Sequence, residues 1–159
     1  MIKTLEQVLE LAIKNKKKTL SVAVAQDKEV LVAVIKAVEL GIVNAILVGD
    51  ETQIRNIASS NNLDLSSVKI IDQKDKLKAA AKAVELVSNG SANCIMKGMI
   101  GTADLLRAVL NKEVGLRGDG LLSHVMVYSL KNYSKLLLLT DGGMVPYQIG
   151  EHTSELQSP

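Results

Sequence analysis

The stretch Lys97-Gly98-Met99-Ile100-Gly101-Thr102 places a full positive charge, two glycines and a hydroxyl where the pattern changes from an apolar run to an amphipathic one. Glycines let backbone N–H groups approach a ligand, and a helix N-terminus adds partial positive charge, so this chemistry suits an anion. Thr102 can cap the helix or donate its hydroxyl. Arg107 lies on the same helix, outside the arc of Leu105, Leu106, Val109 and Leu110. Helical side chains lean toward the N-terminus, so its guanidinium can reach back to grip a phosphate through two hydrogen bonds. Asp104, in the first turn, repels an anion unless it points away. The spacing is neither a Walker A nor a Gly-x-Gly-x-x-Gly fingerprint, so tight nucleotide binding of those kinds is unsupported. A plain strand–turn–helix is the competing reading.

Further candidates follow in the chain. Gly115-Leu116-Arg117-Gly118-Asp119-Gly120 is a flexible loop with one cation, and Ser123-His124 comes next. Adjacent residues on a strand point to opposite faces, so Ser123 and His124 do not form a nucleophile–base dyad. His124 stays a candidate base against the plainer reading of a half-buried structural histidine. Asp141-Gly142-Gly143 ends the last apolar run as a turn or as a ligand-facing edge. Ser123, His124 and Asp141 are thus the catalytic candidates, with no role assigned. Cys94, within an apolar run, reads as a buried inert thiol. No His/Cys cluster or acidic triplet at helical spacing is present, and we expect no metal.

These residues must be positioned by alternating elements. Helical spacing over 3–17 is followed by a β run at Leu20–Ala25 and a helix at Lys28–Leu40. A strand at Asn44–Gly49, a helix at Glu51–Ser60, a strand at Val68–Asp72 and a helix at Lys74–Ser88 come next. A strand at Asn93–Lys97 then leads to a helix from Thr102 to about Asn111. Short apolar strands alternating with amphipathic helices predict βαβ units and a three-layer α/β fold with a mostly parallel sheet. His124–Leu130 and Lys135–Thr140 are separated by too few residues for a crossover helix. They predict a C-terminal antiparallel pair joined to a mixed sheet. Ligands of such folds bind beyond the carboxyl ends of the strands. At Ala25-Gln26-Asp27, Gly49-Asp50 and Asp72-Gln73 the nearby Asp reads as ordinary helix capping.

The composition bounds the class. The chain has 159 residues, 47% of them apolar, with no Trp or Phe and three Tyr, so its core must be built from Val, Leu, Ile and Ala. A net charge of +2 does not indicate a nucleic-acid binder, and the Lys14–Lys18 run reads as a solvated helix C-terminus. No apolar run approaches the ~20 residues of a membrane span, and no signal-peptide core is present. One cysteine excludes an internal disulfide framework. A cytoplasmic protein is expected. Residues 148–159 are polar, and Glu-His-Thr-Ser-Glu-Leu-Gln-Ser (151–158) looks like a translated sequencing-library adapter. We expect residues 1–147 to be one incomplete domain region and 148–159 a non-native or disordered tail.

Several separated motifs resemble, in the same order, those of phosphate butyryltransferases. They are Ala25-Gln26-Asp27-Lys28-Glu29-Val30-Leu31, Ile46-Leu47-Val48-Gly49-Asp50, Met96-Lys97-Gly98, and Thr102 through Leu110. Gly115-Leu116-Arg117, Leu122-Ser123-His124-Val125 and Thr140-Asp141-Gly142-Gly143-Met144 complete the series. With phosphate acetyltransferases, these enzymes make up the phosphate acyltransferases. The resemblance implies reversible acyl transfer, in which acyl-CoA and phosphate give acyl phosphate and CoA. It implies a fold like that of isocitrate and isopropylmalate dehydrogenases, no prosthetic group with coenzyme A as substrate, and a homodimer at full length. It also implies that Arg107, with Lys97, Gly98 and Thr102, contacts phosphate or acyl phosphate, and Gly101 joins them from the chemistry of the loop itself. Ser123, His124 and Asp141 match family positions.

Family chains are about twice as long, and a Ser-Arg pair and an Asp implicated in the chemistry lie in the half absent here. The fragment is therefore expected to be inactive alone and to leave an apolar edge unfinished. Rival readings are a phosphate acetyltransferase, a metal- and nicotinamide-dependent dehydrogenase of the same fold, or a non-catalytic α/β small-molecule-binding domain.

Overall fold

The computed structural model describes residues 2–120 and 122–142. In chain order the elements are α1 (Leu5–Lys14), β1 (Lys18–Ala23), α2 (Lys28–Glu39), β2 (Val43–Gly49), α3 (Glu51–Ser60), β3 (Lys69–Asp72) and α4 (Lys76–Ser88). They continue with β4 (Cys94–Lys97), α5 (Thr102–Val109), β5 (Val125–Tyr128) and β6 (Leu137–Thr140). The chain divides into two compact units, residues 11–117 and a smaller one made of the described residues before 11 and after 117.

The larger unit is a four-stranded parallel sheet in the order β3-β2-β1-β4. Its register pairs Val22 with Leu47 on one side and with Met96 on the other. Alternate side chains serve opposite faces. Val22, Ala45 and Leu47 pack with Leu31 and Val34 of α2 and Ile54 of α3. Ala23, Ile46 and Val48 pack instead with Ala79, Ala80 and Ala83 of α4 and Leu105 of α5. The sheet is therefore covered on both faces, as apolar parallel strands require. The alanine row of α4 lets that helix lie close to the strands, over the small, fully buried Ser21.

Alternation breaks at the end of β1, where Val24 packs in the same cluster as its neighbour Ala23. Its φ of 57° lies in the left-handed region, which a β-branched residue rarely enters. That turn ends β1 two residues before the Ala25 expected from the apolar run, while pairing of Lys18 with Val43 extends its start.

In the smaller unit β5 and β6 pair antiparallel, Val125 with Thr140 and Tyr128 with Leu137. The pair is as expected, but it forms a two-stranded sheet of its own and does not extend the parallel sheet into a mixed one. Val125, Met126 and Val127 are all exposed, as are Leu138 and Leu139, so apolar side chains stand open on both faces of the pair. The segment expected to be a tail, 148–159, lies outside the described residues.

Candidate functional site

Four strand ends of the larger unit lead into helices, and three are closed by side chains. Asp27 Oδ1 accepts from the Val30 N–H of α2 at 3.0 Å, and Asp50 Oδ1 from the Gln53 N–H of α3 at 3.0 Å. On α4 the cap is Asp75, whose Oδ1 accepts from the Lys78 N–H at 2.8 Å. Asp72 ties two elements together instead, accepting from the Glu51 N–H at 3.0 Å. The buried Gln26 does likewise through the Asp50 N–H, at 3.3 Å. These ends are satisfied from within.

The end of β4 is built differently. The N-cap of α5 is Gly101, which offers no side-chain acceptor to the first turn. Thr102 is the first helical residue, so its hydroxyl does not cap the helix as its position in the sequence invited. The loop before it is pinned to β1: the Gly98 N–H donates to Ala23 O and the Met99 N–H to Val24 O, both at 2.8 Å. Gly98 is glycine for a packing reason, since a Cβ there would lie 2.2 Å from Val24 O. Its own N–H is committed to the fold, which leaves the first-turn N–H groups of α5 as the donors without a side-chain acceptor.

Beside that turn is an open groove of about 590 Å³, lined by Lys97, Gly98, Met99, Ile100, Gly101 and Asp104, and by Lys76 and Leu77 of α4. Lys97 Nζ donates to Ile100 O at 2.9 Å, which folds its charge over the loop. Asp104 lines the groove rather than pointing away, and Arg107 Nη1 binds its Oδ1 at 2.6 Å. Arg107 does reach back along α5, but to this carboxylate, and its side chain is 73% exposed. Of the residues singled out from the sequence, the structure gathers Lys97, Gly98 and Gly101 around the groove, with Thr102 and Arg107 on the adjoining helix. Lys76 and Leu77 were missed, because nothing in their local sequence marks them. They reach the groove only because α4 crosses from β3 to β4 past β1 and packs beside α5.

The remaining candidates lie in the smaller unit. His124 and Asp141 are joined by two hydrogen bonds: the His124 backbone N–H donates to the Asp141 side chain at Oδ1, 2.9 Å, and the Asp141 N–H to His124 O at 2.8 Å. The imidazole takes no part, and its Nδ1 is buried without a partner among the described residues. Ser123 is exposed and precedes the strand, which starts at Val125. Cys94 corrects an expectation: it opens β4 at the outer strand of the parallel sheet and is exposed. Partial burial nevertheless holds its thiol above the usual cysteine range, against the opposing pull of Lys18. Its Sγ lies 3.8 Å from Thr19 O.

The parallel sheet, the lysine-bearing groove and the helix without a side-chain cap together define an α/β protein with an open cleft at one strand end. A family profile described as phosphate acetyl/butaryl transferase matches residues 3–82 and 74–152, and the chain belongs to that family. It is 48% identical over 147 residues to a phosphate butyryltransferase of Clostridium beijerinckii, covering 92% of this chain and 49% of that one. It is 46% identical to the phosphate butyryltransferase of Clostridium acetobutylicum, covering 89% of this chain and 47% of the relative. The chain thus spans about half the length of the curated relatives it matches. A branched-chain phosphotransacylase structure from Enterococcus faecalis superposes with a TM-score of 0.58 at 29% identity, over 78% of this chain and 42% of that one. A Staphylococcus aureus phosphotransacetylase shares the fold at a TM-score of 0.66 and 19% identity, over 83% of this chain and 48% of that one.

Proposed function

We propose that this chain is the N-terminal half of an enzyme that moves a short acyl group between coenzyme A and inorganic phosphate. The observation that carries this reading is the end of β4, where an uncapped helix N-terminus stands beside Lys97 and Lys76 in a sequence half-covering two phosphate butyryltransferases. In one direction a phosphate oxygen attacks the thioester carbonyl, and the tetrahedral oxyanion collapses with loss of the CoA thiolate. In reverse, the thiolate attacks the acyl phosphate and phosphate leaves.

Charge accumulates on oxygen both ways, so fixed cations and N–H donors supply most of the stabilisation. Lys97 and the first turn of α5, from Gly101 and Thr102, hold phosphate oxygens, and Gly98 keeps the loop against β1. Arg107 joins them when it exchanges Asp104 for the stronger anion. Ser123, His124 and Asp141 remain candidates without an assigned step. Coenzyme A is a substrate, no metal or prosthetic group is needed, and the full-length enzyme works as a cytoplasmic homodimer. Among the described residues no helix is long and apolar enough to cross a membrane.

The test joins residues 1–147 in frame to the second half of the Clostridium beijerinckii relative. The folded chimera should release CoA thiol from butyryl-CoA only when phosphate is present, and residues 1–159 alone should show negligible turnover. Phosphate-independent release would overturn the reaction. Comparable turnover by residues 1–159 would overturn the division of labour between the halves. Faster release from acetyl-CoA than from butyryl-CoA would favour a phosphate acetyltransferase.

A further inference from the structure

An anion site alone does not need two large apolar side chains, yet Leu77 and Met99 line the groove and remain 57% and 47% exposed. Leu77 continues the row of Ala80 and Val84 one turn beyond the point where α4 is buried, so the stripe runs off the core and into the cavity. Met99 follows the pinned Gly98, with its N–H committed to Val24, so the loop presents it from a fixed backbone. Charge stands beside both. Lys76 precedes Leu77 and makes no ion pair among the described residues, and Lys97 lies two residues before Met99. The groove is amphipathic, with apolar and cationic side chains in one lining.

We propose that Leu77 and Met99 form the acyl-chain wall of the site. They seat the alkyl end of a short-chain acyl phosphate whose phosphate is held by Lys76, Lys97 and the first turn of α5. This rests on the reading of the groove as a phosphate site, and adds to it a determinant of chain length and a second cation. A methionine suits the task because its unbranched, polarisable side chain adapts to an alkyl group. An acyl phosphate two methylenes longer gains contact only if this wall is used.

The test is a titration of the ¹⁵N-labelled 159-residue chain, read by amide shifts, with inorganic phosphate, acetyl phosphate and butyryl phosphate as probes. Inorganic phosphate should shift Gly101 and Thr102. Butyryl phosphate should in addition shift Leu77 and Met99, and bind roughly tenfold more tightly than acetyl phosphate, as burial of two methylenes requires. The double variant Leu77→Ala/Met99→Ala should bring that ratio close to one and leave phosphate affinity intact. Both side chains are largely exposed, so the fold does not depend on them. Lys76→Met should weaken all three probes together. Normal phosphate shifts with equal affinities for the two acyl phosphates, or a ratio unchanged in the double variant, would overturn the acyl wall alone. No shift at Gly101 and Thr102 with inorganic phosphate would remove the phosphate site and the wall with it.

Discussion

Arg107 and Asp104 form an ion pair one turn apart on α5, with Nη1 2.6 Å from Oδ1, and the carboxylate lies in the groove where an anion would bind. The acid that would repel a phosphate is neutralised by the guanidinium best suited to hold one. An exposed pair of this kind adds little to stability, so its effect falls on binding.

Asp104→Asn should therefore strengthen inorganic phosphate binding several-fold at low salt, with the gain fading as ionic strength screens it. Arg107→Ala should weaken the same binding by about tenfold, one charge-assisted contact's worth. It should change unfolding free energy by less than about 0.5 kcal/mol. Calorimetric titration and urea unfolding of the same variants read the two effects separately.

Gly98→Ala should cost about 2–3 kcal/mol, since the new Cβ meets backbone at Val24 and Ala23 that cannot swing aside. Gly101→Ala is the matched control: its nearest neighbour is Asp104 Oδ2 at 3.4 Å, a side-chain atom free to give. Denaturant midpoints should separate the two clearly.

The carboxyl of Asp50 is held below its ordinary value by hydrogen bonds from the Gln53 backbone N–H and then from the Gln53 side chain. Its folded pKa is depressed, so the stabilisation is full above the unfolded value near 3.8 and disappears as pH falls through the folded one. Asp50→Asn keeps a capping oxygen without the titration. The stability gap between the parent chain and this variant should narrow from pH 6 to pH 3, as measured by urea unfolding at each pH.

Cys94 is accessible. Burial raises its thiol pKa, so alkylation by iodoacetamide at pH 7.5 should run slower than for a free peptide cysteine, and its rate should climb only at higher pH. A rate equal to the peptide's would show that the thiol is not perturbed.

The alternation of strands and helices was legible because each apolar run is short and three helices start at an aspartate. The Glu51–Ser60 helix matches to the residue, and Lys28–Glu39 within one. What escaped the sequence arises from tertiary contact. Nothing in Ser21-Val22-Ala23-Val24 signals that a valine takes a left-handed turn, whose carbonyl accepts from the Met99 N–H of a loop far off in the chain. Cys94 looked interior because its neighbours are apolar, but it starts an outer strand. Lys97 and Gly101 could be found from local chemistry. Lys76 and Leu77 could not, because their arrival depends on a crossover some twenty residues long.

The bent end of β1 has one more consequence. Val24 holds an unfavourable backbone angle while its carbonyl accepts the Met99 N–H, so neither segment can relax without releasing the other. The loop after β4 is thus tied to the end of an inner strand of the sheet at two successive residues, Ala23 and Val24. On the proposed reading of this groove, the loop is ordered during folding, and a substrate would not have to order it on binding.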